Sequence, residues 1–282
     1  MGEFSAQWLS LREPVDHAAR NVQVREAMLA DLRKRHGVQL SGLRVLDLGC
    51  GSGSNLRALA PLLGEAQHWT LVDYDRALLA AARQALTQWA DQVMSEQTDS
   101  MRMMRGGIQI DVDFRVADLS GELDSLLSLP VDLVSASALF DLVSSRWVDG
   151  FCDVLRAPLY AVLSFDGQMQ WEPRHKLDQA VTKAFCAHQV TDKGFGAALG
   201  PTSGQYLRNA LEQRGFTVTI DKSPWEIEDL PSVFHDMLID GVAKAVAEIG
   251  HLGLTDIDAW LASRRDARRC VIGHDDLYAA SP

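Results

Sequence analysis

The sequence predicts an α/β fold: a doubly wound, seven-stranded, mostly parallel sheet with helices ahead of it and a helical insertion before the last strand. Three observations carry this expectation. Seven short apolar runs, at 45–48, 69–75, 112–116, 131–136, 159–165, 216–220 and 269–278, are separated for most of the chain by segments of helical spacing. The first run meets Gly49, Gly51 and Gly53 and passes at once into a helical repeat. Residues 222–267, between the last two runs, are too much chain for a turn and contain apolar positions at helical spacing, including Val242, Val246 and Ile249.

Residues 1–42 precede the first strand. Val15, Ala18, Ala19, Val22, Met28, Leu29 and Leu32, after Pro14, suggest one or two helices with an apolar face, stopped by Gly37. Asp16 and Arg20 have the i,i+4 spacing of an ordinary surface pair.

Val45, Leu46 and Leu48, with Asp47 among them, read as a strand buried on both faces. Leu56, Leu59, Leu62 and Leu63 then mark a helix that Gly64 ends. Between them, glycines let the backbone turn tightly and leave no side chain in the way of a ligand. The free N–H groups at the helix start face the same space.

The second run ends in Asp73-Tyr74-Asp75. Asp73 lies about 20 residues past Gly53, where a carboxylate reaches a ribose diol. Asp75 reads as the cap of a helix through Leu78, Leu79, Ala82 and Leu86. Residues 95–110 read as a polar loop interrupted by Met101, Met103 and Met104. The third run ends in Ala117-Asp118-Leu119 and the fourth in the small residues Ser135, Ala136 and Ser137. Such ends gather on one side of a parallel sheet, where open α/β folds bind ligands.

The pattern from Asp47 to Gly53, D-x-G-x-G-x-G, departs from the dinucleotide fingerprint, whose third glycine falls at Ser54. It resembles the first motif of class I S-adenosylmethionine (SAM)-dependent methyltransferases, and the likeness covers about residues 45–143. The resemblance implies SAM as cofactor and a last strand antiparallel to the rest. It implies a loop of Asp47, Gly49, Cys50, Gly51 and Gly53 under the methionine and ribose of SAM. By the same likeness Asp73 holds the ribose, Tyr74 packs on the adenine and Asp118 accepts from its exocyclic amine. Leu119 adds a backbone N–H and an apolar wall, and Ser135 lies near the methyl-bearing sulfur. N-terminal helices of the family close over SAM, which makes Arg12, His17, Arg20 and Asn21 candidates for the cofactor carboxylate or the acceptor, with Arg20 assigned to the cofactor. No N-P-P-Y or D-P-P-Y tetrad follows the fourth strand, unlike enzymes that methylate amino groups of nucleobases or glutamine side chains.

The expected organisation is a helical cap, 1–42, and a SAM-binding methyltransferase domain, 43–282, with substrate-side insertions at 166–200 and 222–267. The second insertion serves as a lid, as part of the substrate pocket or as a homodimer interface. The expected activity is in-line methyl transfer to oxygen, nitrogen or carbon of a small molecule. His188, His175 and Asp166 are the candidate bases: histidine titrates near neutral pH, and Asp166 ends the fifth strand on the cofactor side. Lys193 either binds an anionic substrate group or stands in solvent. The rival readings are a SAM-fold enzyme of other transfer chemistry, a nucleotide-dependent oxidoreductase and a non-catalytic SAM-binding subunit.

A net charge of −11 opposes a broad nucleic-acid surface. No apolar stretch is long enough to span a membrane, and free cysteines would fit a reducing cytoplasm, the expected location. Cys50, Cys152, Cys186 and Cys270 are scattered, which suits free thiols rather than a metal or disulfide framework. His274-Asp275-Asp276 reads as structural, because neighbours on a strand face opposite sides.

Overall fold

The computed structural model describes residues 5–228 and 232–282. Its first strand, β1 (Leu43–Leu48), shows how the sheet is buried. Leu43 and Val45 enter one core and Leu46 and Leu48 the other, on opposite faces. On β2 (Ala66–Asp73), Trp69 and Leu71 join the first core and Val72 the second.

β1 pairs in parallel with β2 on one side and β6 (Leu133–Ser137) on the other. β5 (Ile108–Val116) lies beyond β2, and β7 (Leu159–Glu172) beyond β6, both again parallel. β10 (Arg269–Ala280) runs antiparallel between β7 and β8 (Thr217–Lys222). These seven strands keep the order β5-β2-β1-β6-β7-β10-β8, a mostly parallel sheet with an antiparallel last strand.

Three further strands make the sheet ten-stranded among the described residues. β3 (Gln92–Glu96) and β4 (Ser100–Arg105) form a hairpin that continues antiparallel into β5. The polar loop expected at 95–110 is therefore mostly strand. Met101 and Met103 alternate inward around Arg102, and Gly106-Gly107 makes a two-residue turn with both φ positive, +57° and +81°. β9 (Trp225–Glu228) pairs with the start of β10.

β7 also continues past the expected end at Phe165. Met169 and Trp171 are buried between exposed neighbours and pair with Ile272 and Cys270 of β10. This projecting part of the sheet carries a second cap, built from the two insertions rather than from residues 1–42. α7 (Asp178–Gln189), α9 (Val233–Ile249) and α10 (Leu254–Arg265) pack there, and Trp171 meets Trp260 edge-on at 5.7 Å.

At the N-terminus, α1 (Ala6–Ala19) includes Pro14 in its interior, and α2 (Val22–His36) ends at Gly37. Trp8 of α1 stacks on Phe234 of α9 at 5.3 Å. α1 is also tied to α3 (Ser54–Leu59), the helix that follows the glycine turn. Arg57 donates to both oxygens of Glu13, and His17 Nε2 is 3.0 Å from Ser54 Oγ. The expected Asp16–Arg20 surface pair does not form. Both residues are buried, and Asp16 instead accepts two hydrogen bonds from Arg12 and one from Trp225. No described helix is long and apolar enough to cross a membrane.

Candidate active site

A cavity of about 660 Å³ opens where the parallel strands end. Of the residues expected to hold a cofactor, Asp47, Gly49, Cys50, Gly51, Asp73, Tyr74, Asp118 and Leu119 line it. α1 contributes Leu9, Arg12 and Asp16, and the cap contributes residues of α7, α9 and the loop between 190 and 196.

The glycine turn is shaped by backbone conformation. Gly49, Gly51 and Gly53 have φ of +63°, +53° and +74°, the left-handed region that other residues enter at a cost. A Cβ on Gly51 would sit 3.0 Å from Leu9 Cδ1, so α1 closes on the turn. Gly53 is not in the wall. It caps α3 and packs toward Ala82.

Asp73, at the end of β2, is held by two backbone donors. Gly51 N donates to Oδ2 at 2.9 Å and Asp75 N to Oδ1 at 3.0 Å. Each carboxylate oxygen keeps a second lone-pair site. Burial raises its pKa, against those two hydrogen bonds. Asp118 is exposed, and its Oδ1 accepts from Ser120 N at 2.8 Å.

Asp47 lies deeper. Burial pushes its pKa up to about 7, opposed by hydrogen bonds from Asn55 and Ser135 and by the charge of Arg20. Asn55 Nδ2 donates to Asp47 Oδ1 at 2.6 Å and also bonds Ser135 Oγ. Ser135, fully buried on β6, thus supports Asp47 rather than facing the cavity. Asp47 Oδ2 is buried without a hydrogen-bond partner among the described residues, and so are Nε and Nη1 of Arg20. Leaving such groups unpaired costs about 1–3 kcal/mol each. Asp47 stands in the cavity wall, whereas Arg20 is buried and is not among the wall residues.

The base candidates separate clearly. His188, near the end of α7, lines the cavity. His175 and Asp166 do not. His175 lies three residues before α7, where its N–H donates to Asp178, and Asp166 accepts from Lys222 Nζ at 2.9 Å. Asn21, another N-terminal candidate, caps α2 and donates to Asp221 and to the Lys222 carbonyl. Residues absent from the expected set include Asn55, Lys244 and Glu248, all in the wall. Asn55 was findable as the polar residue two positions past Gly53. The last two lie in the insertion, where no local motif marks them. No cluster of metal-binding side chains occurs among the described residues.

The sheet order, the glycine turn and the acids at the strand ends define a class I methyltransferase fold. A sequence profile of the methyltransferase-domain family matches residues 45–120, the stretch that builds the cofactor side of the cavity. No curated protein sequence matches the chain. Among solved structures, a cyclopropane-fatty-acyl-phospholipid synthase-like protein from Lactobacillus casei aligns over 98% of this chain and 94% of its own, with a TM-score of 0.50 and 16% identity. Magnesium protoporphyrin IX methyltransferase from Synechocystis, with bound SAM, aligns over 98% of this chain and 80% of its own, with a TM-score of 0.43 and 12% identity. Residues 45–120 thus match a methyltransferase domain, and the chain as a whole has the methyltransferase fold.

Proposed function

We propose that this protein methylates a small molecule bound in the cap half of the cavity, by in-line transfer from SAM held in the glycine-turn half. The observation that carries the cofactor end is Asp47 Oδ2, buried without a hydrogen-bond partner among the described residues, in the cavity wall beside that turn. When bound, SAM supplies an electrophilic methyl group on a sulfonium sulfur. Asp47 holds its amino-acid end, and Gly49, Cys50 and Gly51 let that end lie against the backbone. Asp73 accepts from the ribose diol. Tyr74, Asp118 and Leu119 take the adenine. Gly53 and Ser135 act through the turn and through Asn55.

The acceptor side consists of α1, within the 1–42 cap, and the insertions at 166–200 and 222–267, which bring Phe185, Phe195 and Ala245 to the wall. An apolar wall that excludes water and fixes two reactants supplies much of the acceleration in such a transfer, up to about 7–11 kcal/mol in favourable cases. His188 is the base, where the acceptor needs one. Four free cysteines, three of them buried, suit the reducing cytoplasm.

Calorimetric titration with SAM and with its demethylated product tests the cofactor end. Asp73→Ala removes charge-assisted hydrogen bonds worth about 1.5–3 kcal/mol each, so affinity should fall about 10-fold to 100-fold. Asp73→Asn keeps one acceptor for the turn and separates the ligand contact from damage to the loop. Unchanged affinity in a folded Asp73→Ala protein overturns the ribose assignment. A labelled-methyl screen against metabolite pools then finds the acceptor.

A further inference from the structure

The cap half of the cavity holds a hydrogen-bonded chain of three side chains from three segments. Glu248 of α9 places Oε2 3.0 Å from His188 Nε2, on α7. On the other side of the ring, Lys193 Nζ is 3.3 Å from His188 Nδ1. Lys193 also donates to the His188 carbonyl at 3.0 Å and to Thr191 Oγ1 at 2.9 Å.

The chemistry of the two ends assigns the tautomer. A carboxylate only accepts, so the neutral ring carries its proton on Nε2. Nδ1 is then a lone pair, and the ammonium of Lys193 covers it.

Lys193 is a cation with neutral partners. Burial lowers its pKa, and only the charge of Glu248 offsets that. Glu248 is itself engaged by His188. Asp192, the neighbouring acid in the wall, accepts at Oδ1 from the N–H groups of Gly194 and Gly196. Lys244, also in the wall, has no ion-pair partner among the described residues. Lys193 and Lys244, neither in a direct ion pair among the described residues, thus line the cavity together with the apolar Leu142, Phe185 and Phe195.

We propose that the acceptor carries a carboxylate or phosphate that Lys193 and Lys244 bind, and that this binding draws Lys193 off His188 Nδ1, leaving that atom to take the acceptor's proton. The 3.3 Å contact is the longest of the three at Nζ, so it yields first. The anion offers the ammonium a full opposite charge where the neutral ring offers only a lone pair, which drives the exchange. In the proton step the acceptor's O–H or N–H bond breaks and its electron pair stays on the acceptor atom. A new N–H bond forms at Nδ1, Glu248 stabilises the imidazolium through Nε2–H, and the proton later leaves to solvent. The assignment rests on the methyl-transfer reading of the cavity.

The test uses the full chain, labelled with ¹⁵N-histidine, alone and with the demethylated cofactor product. Benzoate, phenyl phosphate and neutral benzamide are the probes, and His188→Gln identifies the His188 signals. The expected free protein has His188 protonated at Nε2 and bare at Nδ1. Benzoate or phenyl phosphate should shift the Nδ1 resonance, and benzamide should not. The tighter of the two anions identifies the acid group. Lys193→Gln should weaken anion binding about tenfold or more, and Lys193→Arg should restore most of it. Cofactor-product affinity, measured separately by calorimetry, reports on the cofactor end alone and should be the same in both variants. A proton on Nδ1 in the free protein, equal binding of benzamide and benzoate, or unchanged anion affinity in Lys193→Gln each overturns the assignment.

Discussion

Asp47→Asn should make the cofactor-free protein more stable and a poorer binder of SAM. Asp47 is buried, and its pKa is pushed from 3.8 to about 7. The folded state therefore holds the proton more tightly than the unfolded chain does. Asp47's stabilising contribution is fully present below about pH 4 and lost as the pH rises through about 7. At 1.36 kcal/mol per pH unit, keeping the folded carboxylate ionised at pH 8 costs about 4 kcal/mol, and about half that after local relaxation. Asparagine is isosteric, preserves the acceptor facing Asn55 and removes the ionisation. The variant should gain about 2–4 kcal/mol at pH 8, which for a chain of this size raises Tm by about 5 °C or more. The gain should grow between pH 4 and 7 and level off above. Scanning calorimetry of both proteins without cofactor, from pH 5 to 8.5, measures it. SAM affinity at pH 8 should fall about tenfold or more, because a neutral amide replaces the charged partner of an ammonium. Equal Tm values at pH 8, or unchanged SAM affinity, would refute the reasoning.

His274 titrates in the opposite sense. Burial, with Arg12 nearby, lowers its pKa to about 3, so the unfolded chain takes up its proton first as the pH falls below 6.5. Between pH 6.5 and 5 this removes about 2 kcal/mol of stability, and His274→Gln should abolish that part of the acid dependence in urea unfolding. Gly51→Ala places an L-residue at φ +53° and a methyl group against Leu9. It should cost about 1–2 kcal/mol and weaken SAM binding about tenfold. Gly106→Ala has a similar φ, +57°, but open space around it, so it should lose stability and keep SAM affinity.

The cofactor half of the site was legible because its chemistry is local. A strand, a glycine turn and a helix lie within twenty residues, and Asp73 and Asp118 each end a strand that periodicity reveals. Length and edge were harder. Met101 and Met103 alternate like strand residues, but the surrounding Gln, Thr, Asp and Ser suggested a loop. Met169 and Trp171 alternate too, beyond an Asp166-Gly167 pair that looked like a terminus. The acid–base chain at the cap was beyond sequence reading for a different reason. His188 and Glu248 are 60 residues apart, and only the docking of α7 on α9 brings them together. Asp16 shows the limit of spacing rules. Arg12 and Arg20 both stand four residues from it, and the buried Trp225 indole, on a distant strand, reinforces the pairing with Arg12.

The β3–β4 hairpin has a consequence for self-association. Without it, the nine residues of β5 would form one edge of the sheet, a template for pairing with another chain. The hairpin replaces that edge with β3, only five residues long and broken in register between Val93 and Ser95. Glu96 is paired with Arg83, and Arg105 with Asp91, so charge flanks both ends of the new edge. Short, irregular and charged strands resist edge-to-edge addition. This border of the sheet is thereby guarded against the intermolecular β-pairing that leads to aggregation.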